Sequence, residues 1–164
     1  MVRHSNGRTA LTLRISVTDG CDLRCQYCRP EHPFAACHSD EVITFEEIMR
    51  VVRATRALTG NLTVRLTGGE PLLRKGITDF VTMLASEGIQ DIALTTNGQR
   101  LAVMAEALKR AGLARVNVSL DSLQPRGFSC LSRGGSLEKT MDGIHAALQC
   151  GLAPVKLNTV VMRG

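Results

Sequence analysis

Five strand-like segments of this chain alternate apolar and polar side chains in one common phase, and helical patterns separate them. The segments are Leu11–Val17, Leu62–Thr67, Ile89–Thr95, Arg115–Leu120 and Pro154–Val161. In the first, Arg14, Ser16 and Thr18 share a face opposite Leu13, Ile15 and Val17. Arg65 and Thr67 oppose Val64 and Leu66, and Thr95 and Asn97 oppose Ile92, Leu94 and Thr96. Asn117, Ser119 and Asp121 oppose Val116, Val118 and Leu120, while Lys156 and Asn158 oppose Val155 and Leu157. Successive side chains of a strand point to opposite faces, so helices can cover one face of such a sheet and not the other.

The intervening helices carry apolar residues at i, i+3, i+4 and i+7. One stripe is Phe45, Ile48, Val51, Val52, Thr55 and Leu58, and a second is Ile77, Phe80, Val81 and Leu84. Leu101, Met104, Ala105 and Leu108 form a third, and Leu137, Met141, Ile144 and Leu148 a fourth. Thr44 and Glu47 have capping-box spacing. Gly60, Gly88, Gly112 and Gly151 each stand just past a helix, where a left-handed residue ends it. Strand–helix alternation predicts a parallel sheet with right-handed crossovers. Strands covered on both faces are apolar throughout, and these are not. The expected fold is therefore an α/β chain forming a partial (βα) barrel of about five parallel strands with outer helices and a wet lumen. It occupies residues 11–164, preceded by a short segment of residues 1–10. At 164 residues and 44% hydrophobic, the chain fits one globular domain.

Three luminal positions are cationic: Arg14, Arg65 and Lys156. Inward charges are costly unless paired, and the sequence offers Asp121 as the one obvious internal partner. The expectation is a lumen that binds an anionic, phosphorylated small molecule.

The loop after the first strand holds Cys21, Cys25 and Cys28 in the spacing CxxxCxxC. Four-thiolate clusters are coordinatively closed. Three thiolates leave one iron of a cubane open to a small molecule, as open catalytic metal sites differ from closed structural ones. The alternative is a zinc knuckle completed by His32 or Cys37, although this is not a usual zinc spacing. The chain has six cysteines, and its start, Met1-Val2-Arg3-His4-Ser5, lacks an apolar signal core. That points to metal rather than disulfides, in the reducing cytoplasm. No stretch reaches the roughly 20 apolar residues of a membrane span. One Tyr and no Trp at a net charge of +5 argue against a base-stacking nucleic-acid surface.

In parallel barrels chemistry sits at the C-terminal strand ends. Those ends carry the cysteine loop, Thr67-Gly68-Gly69-Glu70-Pro71, Thr95-Thr96-Asn97-Gly98 and Ser119-Leu120-Asp121-Ser122. Glycines 68 and 69 let backbone approach a ligand closely.

With Tyr27 before the last cysteine and a Gly-Gly-Glu motif ending the second strand, the chain resembles the radical S-adenosylmethionine (SAM) superfamily. It resembles more narrowly the GTP 3′,8-cyclase family of molybdenum-cofactor biosynthesis. Leu13–Asp19, Arg65–Leu73, Leu94–Gly98, Arg115–Ser122 and Pro154–Gly164 carry that likeness. The resemblance implies a 4Fe-4S cluster on Cys21, Cys25 and Cys28, which are then catalytic as well as metal ligands. It implies SAM contacts at Tyr27 (through its backbone), Gly69 and Ser119, and GTP contacts at Arg14, Arg65, Thr95 and Lys156. It also implies a lyase in which reductive SAM cleavage, fed by an electron donor, yields a 5′-deoxyadenosyl radical. That radical takes the ribose 3′ hydrogen of GTP, and the carbon radical attacks C8 of guanine.

Two positions depart from the family pattern: Gly20 replaces a usual Arg, and Arg29 a usual Met. The family is about twice as long, with a second cluster on three further cysteines that anchors guanine. Cys37, Cys130 and Cys150 do not supply that set, so the expectation is a chain weakly active or inactive alone. An unpaired sheet edge would invite association, including a homodimer. Two other readings stand beside this one: a different radical SAM enzyme that modifies peptides or matures cofactors, and a non-catalytic cluster-binding module.

Overall fold

The computed structural model describes residues 2–3, 9–29 and 42–162. His32 and Cys37 lie outside them, as do Arg163 and Gly164. The strands are β1 Val2–Arg3, β2 Thr9–Ser16, β3 Leu62–Thr67, β4 Asp91–Thr96, β5 Arg115–Ser119 and β6 Lys156–Asn158. The helices are α1 Phe45–Thr59, α2 Ile77–Ser86, α3 Leu101–Arg110, α4 Pro125–Ser132 and α5 Leu137–Gln149. All strands join one sheet in the order β1-β2-β3-β4-β5-β6. β2 to β6 are parallel, and β1 adds an antiparallel edge to β2. The expected five-stranded parallel sheet with helices is present, as a partial α/β barrel.

The common phase organises the packing. Val64, Leu66, Ile92, Leu94, Val116 and Val118 are buried on one face, in one core with Met49, Phe80, Leu84, Leu101 and Leu108. α1 begins as its sequence predicts: Glu47 N–H donates to Thr44 Oγ1 at 3.2 Å, and Thr44 N–H donates to Glu47 Oε2 at 2.8 Å. Phe45 then stacks on Phe80 with ring centroids 4.4 Å apart, and the Arg74 guanidinium lies 4.0 Å above the Phe45 ring. Arg74 also donates to Val17 O at 2.6 Å, fastening the segment after β3 to the end of β2.

Besides β1, which the sequence reading did not foresee, two elements depart from that reading. The last strand, expected over Pro154–Val161, pairs through three residues only. Beyond Asn158 the polar groups turn to other acceptors: Thr159 Oγ1 donates to Leu120 O at 2.8 Å and Val160 N–H to Asp121 Oδ1 at 2.9 Å. Leu157, on the apolar side of β6, is 53% exposed, so the helical layer stops short of this strand. The second departure is α4, which no periodic stripe announced. Its buried residues are Phe128 and Ser132, too few to print a helical period.

Candidate functional site

The polar face of the sheet is built in rows. Arg14 pairs in register with Arg65, Arg65 with Ala93, and Ala93 with Arg115. One step towards the C-terminal strand ends, Thr95 registers with Asn117, and Asn117 with Lys156. Ser119 registers with Asn158 one step further on. Arg14, Arg65, Thr95, Lys156 and Ser119 therefore share a face, as their phase predicts. None of these five is buried, and Asn117 Nδ2 donates to Thr95 Oγ1 at 3.3 Å.

The charge pairing on this face corrects the sequence reading. Asp91, at the start of β4, grips Arg115 with both oxygens, at 2.5 Å and 2.8 Å, and lies 3.8 Å from Arg65. Asp91 is thus the internal counter-ion, and Asp121 is engaged elsewhere. Both Asp91 and Arg115 continue phases the sequence displayed: Asp91 precedes Thr95 by four residues and Arg115 precedes Asn117 by two.

Above these rows lies the cysteine loop. Cys21 and Cys25 are partly buried and Cys28 is exposed, all as free thiols. Leu23 N–H donates to Cys21 Sγ at 3.4 Å, and Asn97 Nδ2 lies 4.0 Å from the same sulfur. Burial pushes the Cys21 and Cys25 thiols up, opposed at Cys21 by the Leu23 N–H and at Cys25 by the Tyr27 hydroxyl. Asn97 Nδ2 also donates to Asp22 Oδ1 at 2.7 Å, tying the loop to the end of β4. The Tyr27 hydroxyl donates to Asp121 Oδ2 at 2.7 Å, tying it to the end of β5. Arg29 donates to Asp19 O, which folds its added charge back against the loop.

Gly68, Gly69 and Glu70 pack against the start of the loop. A Cβ on Gly69 would stand 2.2 Å from Gly20 O and 2.6 Å from Asp19 O. On this side of Gly69 the loop's own backbone is packed too close for any side chain. Gly69 N–H donates to Thr18 O and Glu70 N–H to Gly20 O, each at 2.7 Å. The Glu70 side chain is buried and accepts three hydrogen bonds. Oε1 takes Leu72 N–H at 3.0 Å and Thr96 Oγ1 at 2.8 Å, and Oε2 takes Asn97 N–H at 2.7 Å. Burial pushes its carboxyl up, and the three donors pull the other way.

No three His, Cys, Asp or Glu side chains among the described residues converge to hold a single metal ion. The donor set fits a cluster instead: three thiols on one loop, with an N–H aimed at one sulfur, can each take a different iron of a cubane.

A parallel half-barrel whose first C-terminal loop presents three thiols defines a class of cluster-bearing α/β enzymes. The sequence matches the radical SAM superfamily over residues 15–164, and the chain belongs to that superfamily. Its members use a 4Fe-4S cluster and SAM. The chain is 54% identical to the GTP 3′,8-cyclase of Pelotomaculum thermopropionicum over 153 residues, which are 93% of this chain and 47% of that one. It is 51% identical to the GTP 3′,8-cyclase of Alkaliphilus oremlandii, again over 93% of this chain and 48% of the relative. The chain thus spans about half the length of the curated relatives it matches. Among solved structures, Streptococcus suis SuiB bound to S-adenosylmethionine superposes with a TM-score of 0.71 at 20% identity, covering 96% of this chain and 33% of that one. Methylornithine synthase (PylB) gives 0.72 at 18% identity, over 92% and 44%. These two show the fold.

Sequence reasoning named the thiols, Tyr27, Gly69 and the luminal cations, and passed over the residues that hold them. Asn97 and Glu70 stood in the quoted strand-end motifs, so their positions were visible although their partners were not. Asp22 and Gln26, inside the cysteine motif, gave no signal beyond being polar.

Proposed function

We infer that this chain is the SAM-cleaving part of a GTP 3′,8-cyclase-type lyase of molybdenum-cofactor biosynthesis. The observation that carries the reading is the likeness to cyclases at about half identity across 93% of the chain. The open sheet face supports it, with Arg14, Arg65 and Lys156 below the cysteine loop. Cys21, Cys25 and Cys28 would hold the 4Fe-4S cluster, which when loaded and reduced supplies the electron that breaks the sulfonium bond of SAM. Tyr27 (through its backbone), Gly69 and Ser119 would contact SAM. Arg14, Arg65, Thr95 and Lys156 would bind GTP from the sheet face, the cations taking its phosphates. An electron donor of low potential in a reducing cytoplasm, and pairing of a second copy along the β6 edge, complete the reading.

The test is anaerobic reconstitution followed by SAM cleavage with dithionite, with and without GTP. Methionine and 5′-deoxyadenosine should form, and GTP affinity should fall at least tenfold in Arg65→Ala and Lys156→Ala with cluster content unchanged. SAM cleavage with parental GTP affinity in both variants would remove GTP from the lumen and leave a radical SAM enzyme of another specificity. For the 164-residue chain alone, cyclised product should be scarce beside cleaved SAM.

A further inference from the structure

Three hydrogen bonds seat the cysteine loop on the last turn of α4. Arg24 N–H donates to Ser132 O at 3.1 Å, and Gln26 N–H to Leu131 O at 2.9 Å. Gln26 Nε2 donates to Cys130 O at 3.1 Å and lies 3.7 Å from Cys130 Sγ. The last carbonyls of an α-helix have no partner within the helix, so Leu131 O and Ser132 O stand ready there, while Cys130 O also accepts Arg133 N–H at 3.3 Å and offers Gln26 its second lone pair. The two anchored residues, 24 and 26, straddle Cys25.

The helix end is shaped to offer those acceptors. Arg133 closes α4 with φ 53° and ψ 57°, the left-handed region in which no other non-glycine among the described residues is found. Such a conformation costs a side-chain-bearing residue about 1–2 kcal/mol, and it persists where surrounding contacts over-determine it. Those contacts are present: Ser132 Oγ donates to Phe128 O at 2.6 Å and accepts from Gly135 N–H at 2.9 Å. Ser132 and Phe128 are both buried. The left-handed turn then carries the chain away from the helix axis and leaves the Leu131 and Ser132 carbonyls facing the loop.

Each thiol has its own hold. Cys21 is held through Leu23 N–H and Asn97, and Cys28 through its N–H to Cys25 O at 2.9 Å. Cys25 O accepts Cys28 N–H at 2.9 Å and Arg29 N–H at 3.0 Å, and the Tyr27 hydroxyl lies by its sulfur; the bonds of residues 24 and 26 to α4 fix the chain on either side of it. We propose that the C-terminal turn of α4 is the seat that fixes Cys25 for cluster binding, with Gln26 as its side-chain clamp. Gln26 is a positioning residue: it acts through Cys25 and touches neither cofactor nor substrate. The inference rests on superfamily membership and is independent of GTP as substrate.

The test uses the 164-residue chain reconstituted anaerobically with iron and sulfide. Gln26→Ala removes the clamp, Gln26→Glu keeps its size without a donor at neutral pH, and Ser132→Ala loosens the seat from the helix side. Each should release iron to a chelator faster than the parent, by roughly two- to tenfold, the range one net hydrogen bond spans. The electron paramagnetic resonance line shape of the reduced cluster should change in all three. Combining Gln26→Ala with Ser132→Ala should fall short of the product of the single effects, because both act on one contact. Thermal unfolding of the metal-free Gln26 variants should match the parent. Parental iron release and line shape in both Gln26 variants would overturn the proposal. So would faster release accompanied by an equal loss of metal-free stability, since that is general loosening.

Discussion

Tyr27 and Asp121, 94 residues apart, share a 2.7 Å hydrogen bond that joins the cysteine loop to the end of β5. The phenol is the donor, and its own burial followed by the bond to Asp121 pushes its pKa far up, so it keeps its proton at any working pH. The other oxygen of Asp121 accepts Val160 N–H at 2.9 Å. One carboxylate thus holds the loop and the chain beyond β6 together. Tyr27→Phe should cost about 1 kcal/mol of stability, below the usual range for a charged acceptor because Tyr27 is exposed. Asp121→Ala should cost more, since it strands two donors. Urea unfolding of both variants checks the order, and equal midpoints would show that Asp121 contributes through Tyr27 alone.

Gly69→Ala should be far more damaging than Gly60→Ala, for reasons of space. Gly60 has φ 73° with nothing within 4 Å of an added Cβ, so alanine there meets the strain of a positive φ and no clash. At Gly69 the methyl would collide with the backbone of Gly20 and Asp19. The end of β3 or the cysteine loop must then move. Iron bound per reconstituted chain should drop sharply in Gly69→Ala and stay near parental in Gly60→Ala.

Glu70→Ala should strand Leu72 N–H, Asn97 N–H and the Thr96 hydroxyl in a buried place. Each unsatisfied group costs about 1–3 kcal/mol, so a loss of about 3 kcal/mol or more is expected in denaturant. Glu70→Gln keeps the volume and should cost less. The two variants should also differ from the parent in pH dependence. Burial holds the folded carboxyl above its unfolded value, so its contribution is complete below the unfolded pKa and fades as pH rises through the folded one. Glu70→Gln should flatten that fall in stability, read from unfolding midpoints across the mildly acidic range.

Asp91→Asn should loosen the chain and strengthen its hold on anions at once. It removes the counter-ion of Arg115 and the negative group beside Arg65. Two arginines of one row then face the lumen without it. Pyrophosphate affinity, measured by calorimetry, should rise severalfold while thermal stability falls. Weaker pyrophosphate binding would mean that Asp91 holds Arg65 in its binding position.

Much of the architecture was written in side-chain alternation. The phase of Arg14, Arg65, Thr95, Lys156 and Ser119 placed them on one face because a strand has a period of two and the sheet is in register. The Thr44–Glu47 capping box was legible because both partners lie within four residues. Pairings across strands were less so. Asp91 sits 24 residues before Arg115 and 26 after Arg65, and its choice between them and open solvent depends on register, which alternation does not specify. The extent of β6 was misjudged because apolar residues continue past Asn158 while their backbone donors turn to Leu120 and Asp121. α4 was missed because a helix that buries one aromatic ring leaves no stripe.

The seat that α4 offers is made of carbonyl oxygens, and every residue type carries the same one. Substitutions along that helix can therefore accumulate over generations without disturbing the contact, provided the last turn keeps its shape. A comparison of letters would pass over it, and a shift of α4 by one residue would leave the motif around Cys25 intact while taking its support away. In this fold the inheritance of the cysteine loop depends on the length of the link between Ser119 and Pro125 as well as on the cysteines themselves.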